Sequence, residues 1–198
     1  MLSIEKKHEK RKKIARSTCD LFIQKGYINI TISEIAKVAG IGKGTIYEYF
    51  ANKEDIIFEL MACLQEEYDP KLQKKLVENI SLKEKLICLF DIFLNDDEIV
   101  VTQRKIYKEF LSIYIHNKTD AMDRYNKNMM EKYQLILEQI FIDAIEKKEI
   151  TSISLSFIPS IFATFQGFFM LGENKKMMLT YIENLLKLFE QNKEQKEY

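Results

Sequence analysis

Hydrophobic residues recur with helical spacing along most of this chain, and polar stretches divide them into segments. The apolar positions of the first segment are Ile14, Thr18, Leu21 and Phe22. They recur at i, i+4, i+7 and i+8 and so form one stripe, which predicts an amphipathic helix over about residues 6–25. Gly26 follows this stripe, as is common where helices end.

Two shorter helices are predicted next, joined by a tight turn. Thr31 and Glu34 form a T-x-x-E capping box, which marks the start of a helix that ends at Gly40. The turn leads into a second helix over about residues 43–50. Ile46 and Phe50 lie four positions apart there, so both face inward. This arrangement is typical of a helix-turn-helix and predicts DNA as the partner.

The other sides of the second short helix carry groups suited to a duplex. Facing away from its apolar side are Gly44, Thr45, Glu48 and Tyr49, and on its flank are Lys43 and Tyr47. Such groups reach base edges, thymine methyl groups and phosphates. The alternative is that the two tyrosines are ordinary half-buried aromatics. Lys53 lies in the first turn of the following helix, where a cation is unfavourable unless it contacts a phosphate, although an exposed lysine costs only tenths of a kcal/mol.

Residues 31–55, TISEIAKVAGIGKGTIYEYFANKED, resemble the TetR family of ligand-responsive repressors. The motif covers about residues 10–58, a quarter of the chain, and many of its positions match at once. The family pattern implies base or phosphate contacts at Thr31, Ser33, Lys43, Gly44, Thr45, Tyr47, Tyr49 and Lys53. Ser33 stands where a longer polar residue is frequent, Gly42 where a small hydroxyl residue is frequent, and Glu48 where an aromatic is frequent. The operator sequence therefore does not follow from the motif.

Further helices are predicted beyond the motif. Asn52 caps a helix that Pro70 is expected to end, because the residue before a proline avoids helical geometry. After a weak, charged segment, Ser81 and Glu84 form a second capping box for a helix over about residues 82–94. Four more helical patterns span about residues 97–116, 120–148, 155–171 and 174–192.

The fold class that these patterns predict is all-α, with two domains. Residues 1–53 are expected to form a three-helix, helix-turn-helix DNA-binding domain. Residues 54–198 are expected to form a larger helical bundle for ligand binding and dimerisation.

Aromatic and methionine side chains on the middle helices are the only sequence signal for a ligand site. We expect them to line an apolar pocket in which a few hydroxyl groups orient the ligand. The candidates are Phe90, Phe93, Tyr107, Phe110, Tyr114, Tyr125, Met129, Tyr133, Phe162, Phe165 and Phe169. The alternative is that these stripes are plain core. Asp91 and Glu109 suit a cationic ligand and the tyrosines a neutral one, and the sequence leaves both open.

The last two helices carry apolar residues on two faces, which is more than one small domain can bury. This pattern predicts a homodimer joined by a four-helix bundle across a two-fold axis. The predicted interface residues are Ile161, Gly167, Phe168, Tyr181, Leu185 and Leu188. A glycine within a helix costs about 1 kcal/mol relative to alanine, and a close helix–helix approach at Gly167 explains it.

Residues 150–172 contain no charged side chain, and a segment of this length can span a bilayer. However, seven serine, threonine and glutamine residues make the segment far from purely apolar, and Pro159 interrupts it. A helix buried between subunits explains the pattern better, so no membrane partner is expected.

Composition supports a helical DNA-binding protein. Among 198 residues, 46% are hydrophobic and only two are prolines and six glycines, which favours helices over strands. The net charge is zero, but it is +3 over residues 1–60 and −3 over the rest. Residues 1–16 alone carry +5, which suits an approach to phosphates. A solvated helix end gives the same pattern.

Other kinds of chemistry find little support in the sequence. Cys19, Cys63 and Cys88 are odd in number and widely spaced, which favours reduced, buried side chains over disulfides, with a redox switch as the alternative. His8 and His116 have no partners at metal-ligand spacing. No catalytic triad, Cys/His pair or paired carboxylates are present, so we expect no enzyme activity and no cofactor. No amino-terminal signal peptide is visible, which predicts a cytoplasmic protein.

The favoured function is therefore a TetR-like dimeric repressor that binds a palindromic operator and is released by a small hydrophobic effector. Two recognition helices would enter successive major grooves, about 34–36 Å apart. The helix that begins near Asn52 is the predicted lever between effector and DNA. The alternative is a DNA-binding activator or nucleoid-type protein without small-molecule control.

Overall fold

The structure is a computed structural model that describes residues 4–172 and 175–194. Within these residues the chain forms eleven α-helices, one 3₁₀ helix and no strand, which confirms the all-α prediction. The α-helices are α1 (Ile4–Ser17), α2 (Cys19–Lys25), α3 (Ile32–Ala39), α4 (Lys43–Tyr49), α5 (Lys53–Leu76), α6 (Leu82–Leu89), α7 (Asp91–Leu94), α8 (Glu98–Asn117), α9 (Asp120–Glu146), α10 (Ile158–Leu171) and α11 (Lys175–Glu194). The 3₁₀ helix, Ser152–Phe157, directly precedes α10.

Helices α1 and α2 replace the single helix predicted over residues 6–25. The helix breaks at Thr18, whose buried hydroxyl donates to the carbonyl of Ala15 at 2.6 Å. The N–H of Thr18 donates to the same carbonyl at 3.0 Å. A threonine hydroxyl that bonds to a carbonyl of the preceding turn competes with the regular helical pattern. The prediction of one unbroken helix was therefore wrong.

Both predicted capping boxes are confirmed. The hydroxyl of Thr31 accepts from the N–H of Glu34 at 3.2 Å, and the N–H of Thr31 donates to the Glu34 carboxylate at 2.9 Å. Ser81 and Glu84 make the equivalent pair of bonds at 3.3 and 2.8 Å. These bonds satisfy backbone donors that lack helical partners. The Lys25 ammonium, followed by the bonds from Thr31, lowers the pKa of Glu34 to about 2.

Helix α5 continues through Pro70 to Leu76, so the prediction that this proline ends the helix was wrong. A proline inside a helix removes one bond, here to the carbonyl of Glu66. Pro70 and Glu66 are both exposed, so water can replace that bond. Leu72 and Leu76 are buried, and their burial stabilises the helix beyond the proline.

Two other boundaries differ from the sequence patterns. The helix predicted over residues 82–94 is interrupted at Phe90, which separates α6 from α7. The helix predicted from residue 155 begins at Ile158, after the 3₁₀ turn. Pro159 lies in its first turn, where a missing N–H and a fixed φ are tolerated.

The packing divides the chain into two compact units. Unit 1 comprises the described residues up to Pro70 together with Asp97–Tyr125. Unit 2 comprises Lys71–Asp96 and the described residues from Asn126 onwards. Unit 1 thus contains α8 as well as the helix-turn-helix, and α8 packs against α2. The functional boundary expected at residue 53 differs from this division and stays a prediction.

Within the described residues, the stretch Ser152–Leu171 is long and apolar enough to cross a membrane, judged by length and composition alone. Its mean hydropathy reaches 1.5, and a third of its most apolar part is buried. Phe162, Phe165 and Phe169 of this stretch lie in the core of unit 2. A core helix passes the same test, so the stretch is weak evidence for a membrane span.

The three cysteines all lie within the described residues, and none forms a disulfide. Cys63 is buried, whereas Cys19 and Cys88 are half-buried. Burial is the main reason that the pKa of each thiol lies above its ordinary value. A raised pKa disfavours the reactive thiolate, which agrees with reduced, structural side chains.

Candidate nucleic-acid interface

Helix α4 has the two faces that its sequence predicts. Ile46 is 0% exposed and Phe50, which caps the helix, is buried with it. Tyr47 is 54% exposed, Lys43 is also exposed, and Thr45 and Tyr49 are half-buried. The hydroxyl- and amine-bearing side of the helix is therefore accessible, although its contacts with DNA stay predictions.

Gly42 and Gly44 leave the amino-terminal end of α4 free of bulky side chains. Gly44 is exposed, and a Cβ added to it would meet nothing within 4 Å. Because glycine projects no side chain, another molecule can approach the backbone closely at this point. The first turn of α4 contains no acidic residue, so its positive end is not neutralised by its own side chains.

Thr31 and Ser33 lie exposed at the start of α3. The hydroxyl of Thr31 both accepts from the N–H of Glu34 and donates to its carboxylate at 2.9 Å. A phosphate at Thr31 would therefore compete with the capping box. The DNA contact at Thr31 stays a prediction, and Thr31 also has a structural role as the cap of α3.

Lys53 has contacts within the chain that its sequence position does not reveal. Its Nζ donates to the carbonyls of Tyr27 at 2.5 Å and Ile30 at 2.8 Å. The same atom lies 4.2 Å from the centre of the Tyr27 ring. Burial lowers the pKa of Lys53 from its ordinary value, and the charge of Glu54 acts in the opposite direction. An ammonium has three donors, and these bonds use two of them.

Arg11 is a residue of this region that sequence reasoning missed. Its Nη1 donates to the carbonyl of Tyr49, at the end of α4, and its Nε donates to Glu59 at 2.9 Å. Its guanidinium lies 4.4 Å from the centre of the Phe50 ring. The basic run around Arg11 resembles a phosphate-binding arm, and no local signal reveals partners that lie 38 and 48 residues away.

Some of the basic side chains of α1 form ion pairs with acidic side chains of unit 1. Lys12 pairs with Glu66 at 2.7 Å, and Arg16 pairs with Glu67 at 2.9 Å, both on α5. Solvent screens exposed pairs of this kind, so each contributes little to stability. The expectation of a basic arm directed at phosphates is therefore weaker than the sequence suggested, because three of its cations have acidic partners.

Replacement of Arg11 by alanine is expected to destabilise unit 1 by about 1–3 kcal/mol, since hydrogen bonds of a charged group are lost beside the half-buried Glu59. Arg11→Lys should recover only part of this loss, because lysine lacks the planar fork. Denaturant unfolding measures the effect, with the exposed Lys13→Ala as the matched control. A stability equal to that of the control would contradict the assigned role.

The predicted ligand residues belong to both compact units, and the pocket that they were expected to line stays a prediction. In unit 1 they are Tyr107, Phe110, Tyr114 and Tyr125. In unit 2 they are Phe90, Phe93, Phe162, Phe165 and Phe169, with Met129 and Tyr133 half-buried on α9. The sequence could not separate these sets, because helical stripes show which residues face inward but not which stripes meet.

The cluster in unit 1 includes a residue that sequence reasoning missed. The ring of Phe58, on α5, stacks on Tyr125 with ring centres 5.1 Å apart. It also meets Phe110 edge-on at 6.0 Å, and Phe110 meets Tyr125 at 5.6 Å. The hydroxyl of Tyr114 donates to Asp123 at 2.7 Å. We call Phe58, Phe110 and Tyr125 the α8 aromatic cluster.

In unit 2 the predicted ligand residues pack tightly against one another. The rings of Phe90 and Phe165 are parallel, with centres 3.6 Å apart, so nothing fits between them. A cavity of about 10 Å³ does occur in this unit, with room for one water molecule. Its lining consists of Ile80, Leu82, Lys85, Ile140, Asp143, Ala144, Lys147 and Glu149. None of these was a predicted ligand residue.

The predicted dimer interface stays a prediction. Two of its residues are buried within the single chain, since Ile161 is 1% and Leu185 7% exposed. Leu188 is exposed, Gly167 is half-buried, and a Cβ added to Gly167 would meet nothing within 4 Å. Phe168 and Tyr181 are half-buried, with ring centres 5.9 Å apart. Met170 and Leu171 of α10 and Met177 of α11 are exposed apolar residues as well.

Comparisons with known proteins agree with this geometry. Residues 14–60 match the family model for bacterial regulatory proteins, tetR family. The chain is 28% identical over 152 residues to the fatty acid metabolism regulator protein of Bacillus subtilis (strain 168), and the match covers 74% of each chain. Several other curated regulators match over 18% to 64% of their own length.

Solved structures of transcriptional regulators share the fold. A TetR-family transcriptional regulator from Cytophaga hutchinsonii is 20% identical with a TM-score of 0.69, over 98% of this chain and 96% of that one. The fatty acid degradation regulator FadR from Bacillus halodurans is 21% identical with a TM-score of 0.63, over 91% and 94%. At these identities the likeness concerns the fold.

Proposed function

We propose, because this chain belongs to the TetR family of bacterial regulatory proteins, that it is a homodimeric repressor of transcription. Proteins of this family bind DNA operators, dimerise and bind small-molecule effectors. In the proposal, two copies of the chain bind a palindromic operator, and a small hydrophobic effector releases them. The protein acts in the cytoplasm, where bacterial DNA is found, and no catalytic step or cofactor is assigned.

The exposed face of α4 is the observation that carries the proposal. Tyr47, Lys43 and Gly44 lie on the accessible side of a short helix whose other side is anchored by Ile46. A helix of this kind enters the major groove, where side chains read base edges and contact phosphates. A two-fold dimer presents two such helices, so a palindromic site with half-sites one turn apart fits best.

The effector that we propose is a fatty acyl compound. The support is the name of a relative, the fatty acid metabolism regulator protein of Bacillus subtilis, together with the apolar character of the aromatic clusters. The close stacking of Phe90 on Phe165 favours the alternative, a DNA-binding protein without small-molecule control. An acyl chain would enter at that point only if these rings separated.

Dimerisation is proposed through α10 and α11. Leu188, Phe168, Tyr181 and Gly167 retain exposed surface, and Met170, Leu171 and Met177 on the same two helices are exposed as well. An exposed apolar surface of this kind is typical of an interface between protein chains. Such a pair of helices from each of two copies would form a four-helix bundle.

The experiment that tests the proposal is a mobility-shift measurement on the chain's own promoter region, with and without oleoyl-coenzyme A. We expect one specific complex with two chains per site and a loss of binding when the acyl compound is added. Octanoyl-coenzyme A and free coenzyme A serve as controls for chain length and headgroup. Specific binding that no acyl compound weakens would support the alternative, and an absence of specific binding would refute both.

A further inference from the structure

The peptide groups of Tyr27 are held by side chains from two other helices. The N–H of Tyr27 donates to Oε2 of Glu109, on α8, at 2.9 Å. The carbonyl of Tyr27 accepts from Nζ of Lys53, at the start of α5, at 2.5 Å. We call these two bonds the Tyr27 clamp. The clamp ties α8 and α5 to the segment that joins α2 to the helix-turn-helix.

Gly26 leaves the space that Glu109 occupies. Its φ is +71°, a conformation that glycine adopts without the penalty paid by other residues. A Cβ at this position would lie only 3.1 Å from Oε2 of Glu109. The missing side chain and the unusual backbone angle together let the carboxylate of α8 approach the N–H of Tyr27.

Lys53, one of the two side chains of the Tyr27 clamp, also contacts the segment at the start of α3, the first helix of the helix-turn-helix. Lys53 donates at 2.8 Å to the carbonyl of Ile30, the residue before the cap of α3. The Tyr27 ring lies below Lys53 and stacks on Phe22 with ring centres 6.4 Å apart. Burial, followed by the charge of Glu54, raises the pKa of the Tyr27 hydroxyl, which therefore stays protonated. A displacement of Tyr27 would therefore also move the start of α3, because Lys53 is bonded to the carbonyls of both Tyr27 and Ile30.

On its other side, Glu109 is next to the α8 aromatic cluster. Phe110, the following residue of α8, is fully buried, and its ring contacts Phe58 and Tyr125. Adjacent residues of a helix move together, since the helical bonds fix their backbone. Any rearrangement of the α8 aromatic cluster that shifts Phe110 therefore also shifts the carboxylate that holds Tyr27.

We propose that Glu109 is a positioning residue that transmits the state of the α8 aromatic cluster to the helix-turn-helix through the N–H of Tyr27. The inference rests on the proposed function for its regulatory meaning and adds a route to it. Glu109 holds the segment before α3 in the orientation that binds DNA. When α8 shifts, the N–H of Tyr27 loses its acceptor and α3 is released.

Hydrogen exchange at the Tyr27 amide, followed by NMR, tests the bond itself. We expect exchange to be faster by about tenfold or more in Glu109→Ala, because a bond to a charged acceptor is lost. Glu109→Gln keeps a neutral acceptor and should show a smaller increase. Glu98→Gln, at the exposed start of the same helix, is the matched control and should leave the rate unchanged. Equal rates in all four proteins would overturn the proposal.

Transmission is tested by combining Glu109→Ala with Tyr125→Leu, which removes an aromatic ring from the cluster but keeps an apolar side chain. With Glu109 present, Tyr125→Leu should speed exchange at Tyr27 by about threefold or more. In the Glu109→Ala background, Tyr125→Leu should not change the exchange rate further, because the effects of substitutions at coupled residues are not additive. Phe58→Leu provides an independent perturbation of the same cluster. Additive effects in both double variants would overturn the proposal.

Operator binding separates this inference from the proposed function. Glu109→Ala should weaken operator binding by about 2- to 30-fold, the range typical of residues that couple sites without touching a ligand. An affinity equal to that of Glu98→Gln would overturn the inference and leave the repressor proposal standing. If the wild-type protein binds no DNA, the repressor proposal fails, and the exchange measurements still decide whether Glu109 couples the cluster to Tyr27.

Discussion

Replacement of both Lys43 and Tyr47 by alanine is expected to weaken operator binding by about 100-fold or more and to leave folding intact. Each side chain lies exposed on α4, where a contact with a base or phosphate contributes about 1–3 kcal/mol. Each substitution is present in both subunits of the proposed dimer, so the losses of binding free energy at the two half-sites add. Exposed substitutions away from other contacts alter stability by only about 0.5 kcal/mol.

Titration of operator binding at several salt concentrations measures both affinity and the number of phosphate contacts. Loss of Lys43 from two subunits should lower the salt dependence by about two ions, if each lysine contacts one phosphate. Lys147→Ala, an exposed lysine of unit 2, is the control with the same change of charge. If the Lys43→Ala, Tyr47→Ala variant bound the operator with wild-type affinity, α4 would not be the helix that contacts the bases. Lys53 is left out of this test because it also stabilises the fold.

Ile46→Ala is expected to lower the free energy of unfolding by about 2–5 kcal/mol, the range for an isoleucine removed from a packed core. Ile46 is fully buried and is the main apolar anchor of the seven-residue helix α4. A short helix has little stability of its own and depends on such packing. Operator binding should fall as well, because the recognition helix loses its orientation even where the rest of the chain stays folded.

Urea unfolding at one fixed protein concentration measures this loss, since the stability of the proposed dimer would depend on concentration. Val38→Ala on the neighbouring α3 is the control, because Val38 is 45% exposed and its truncation should cost little. A cost below about 1 kcal/mol for Ile46→Ala would show that α4 is held by other contacts, with Arg11 the first candidate.

Local signals in the sequence predicted the helices well. The capping boxes at Thr31 and Ser81 were correct, because a capping box involves residues only three positions apart. The two faces of α4 were correct for the same reason, since a helix places residues four positions apart on one side. The errors at Thr18 and Pro70 concern helix continuity, which depends on a side-chain hydrogen bond at Thr18 and on the burial of Leu72 and Leu76 beyond Pro70.

Contacts between residues far apart in sequence were decided by the tertiary structure alone. Arg11 meets the end of α4 after 38 residues, and Glu109 meets Tyr27 after 82. Periodicity shows that each of these residues belongs to a helix, but it carries no information about which helices pack together. The assignment of the predicted ligand residues to both compact units has the same origin.

The sequence by itself determined that this protein is all-helical and carries a helix-turn-helix whose second helix has a buried apolar side and an accessible polar side, because those properties arise within a few residues of one another. Only the tertiary structure decided that Lys53 bonds to the segment before α3 and Arg11 to the end of α4. It likewise decided that Ile161 and Leu185 are core. The role of a charged or apolar side chain depends on the residues that folding brings into contact with it, and those residues are far away in the sequence.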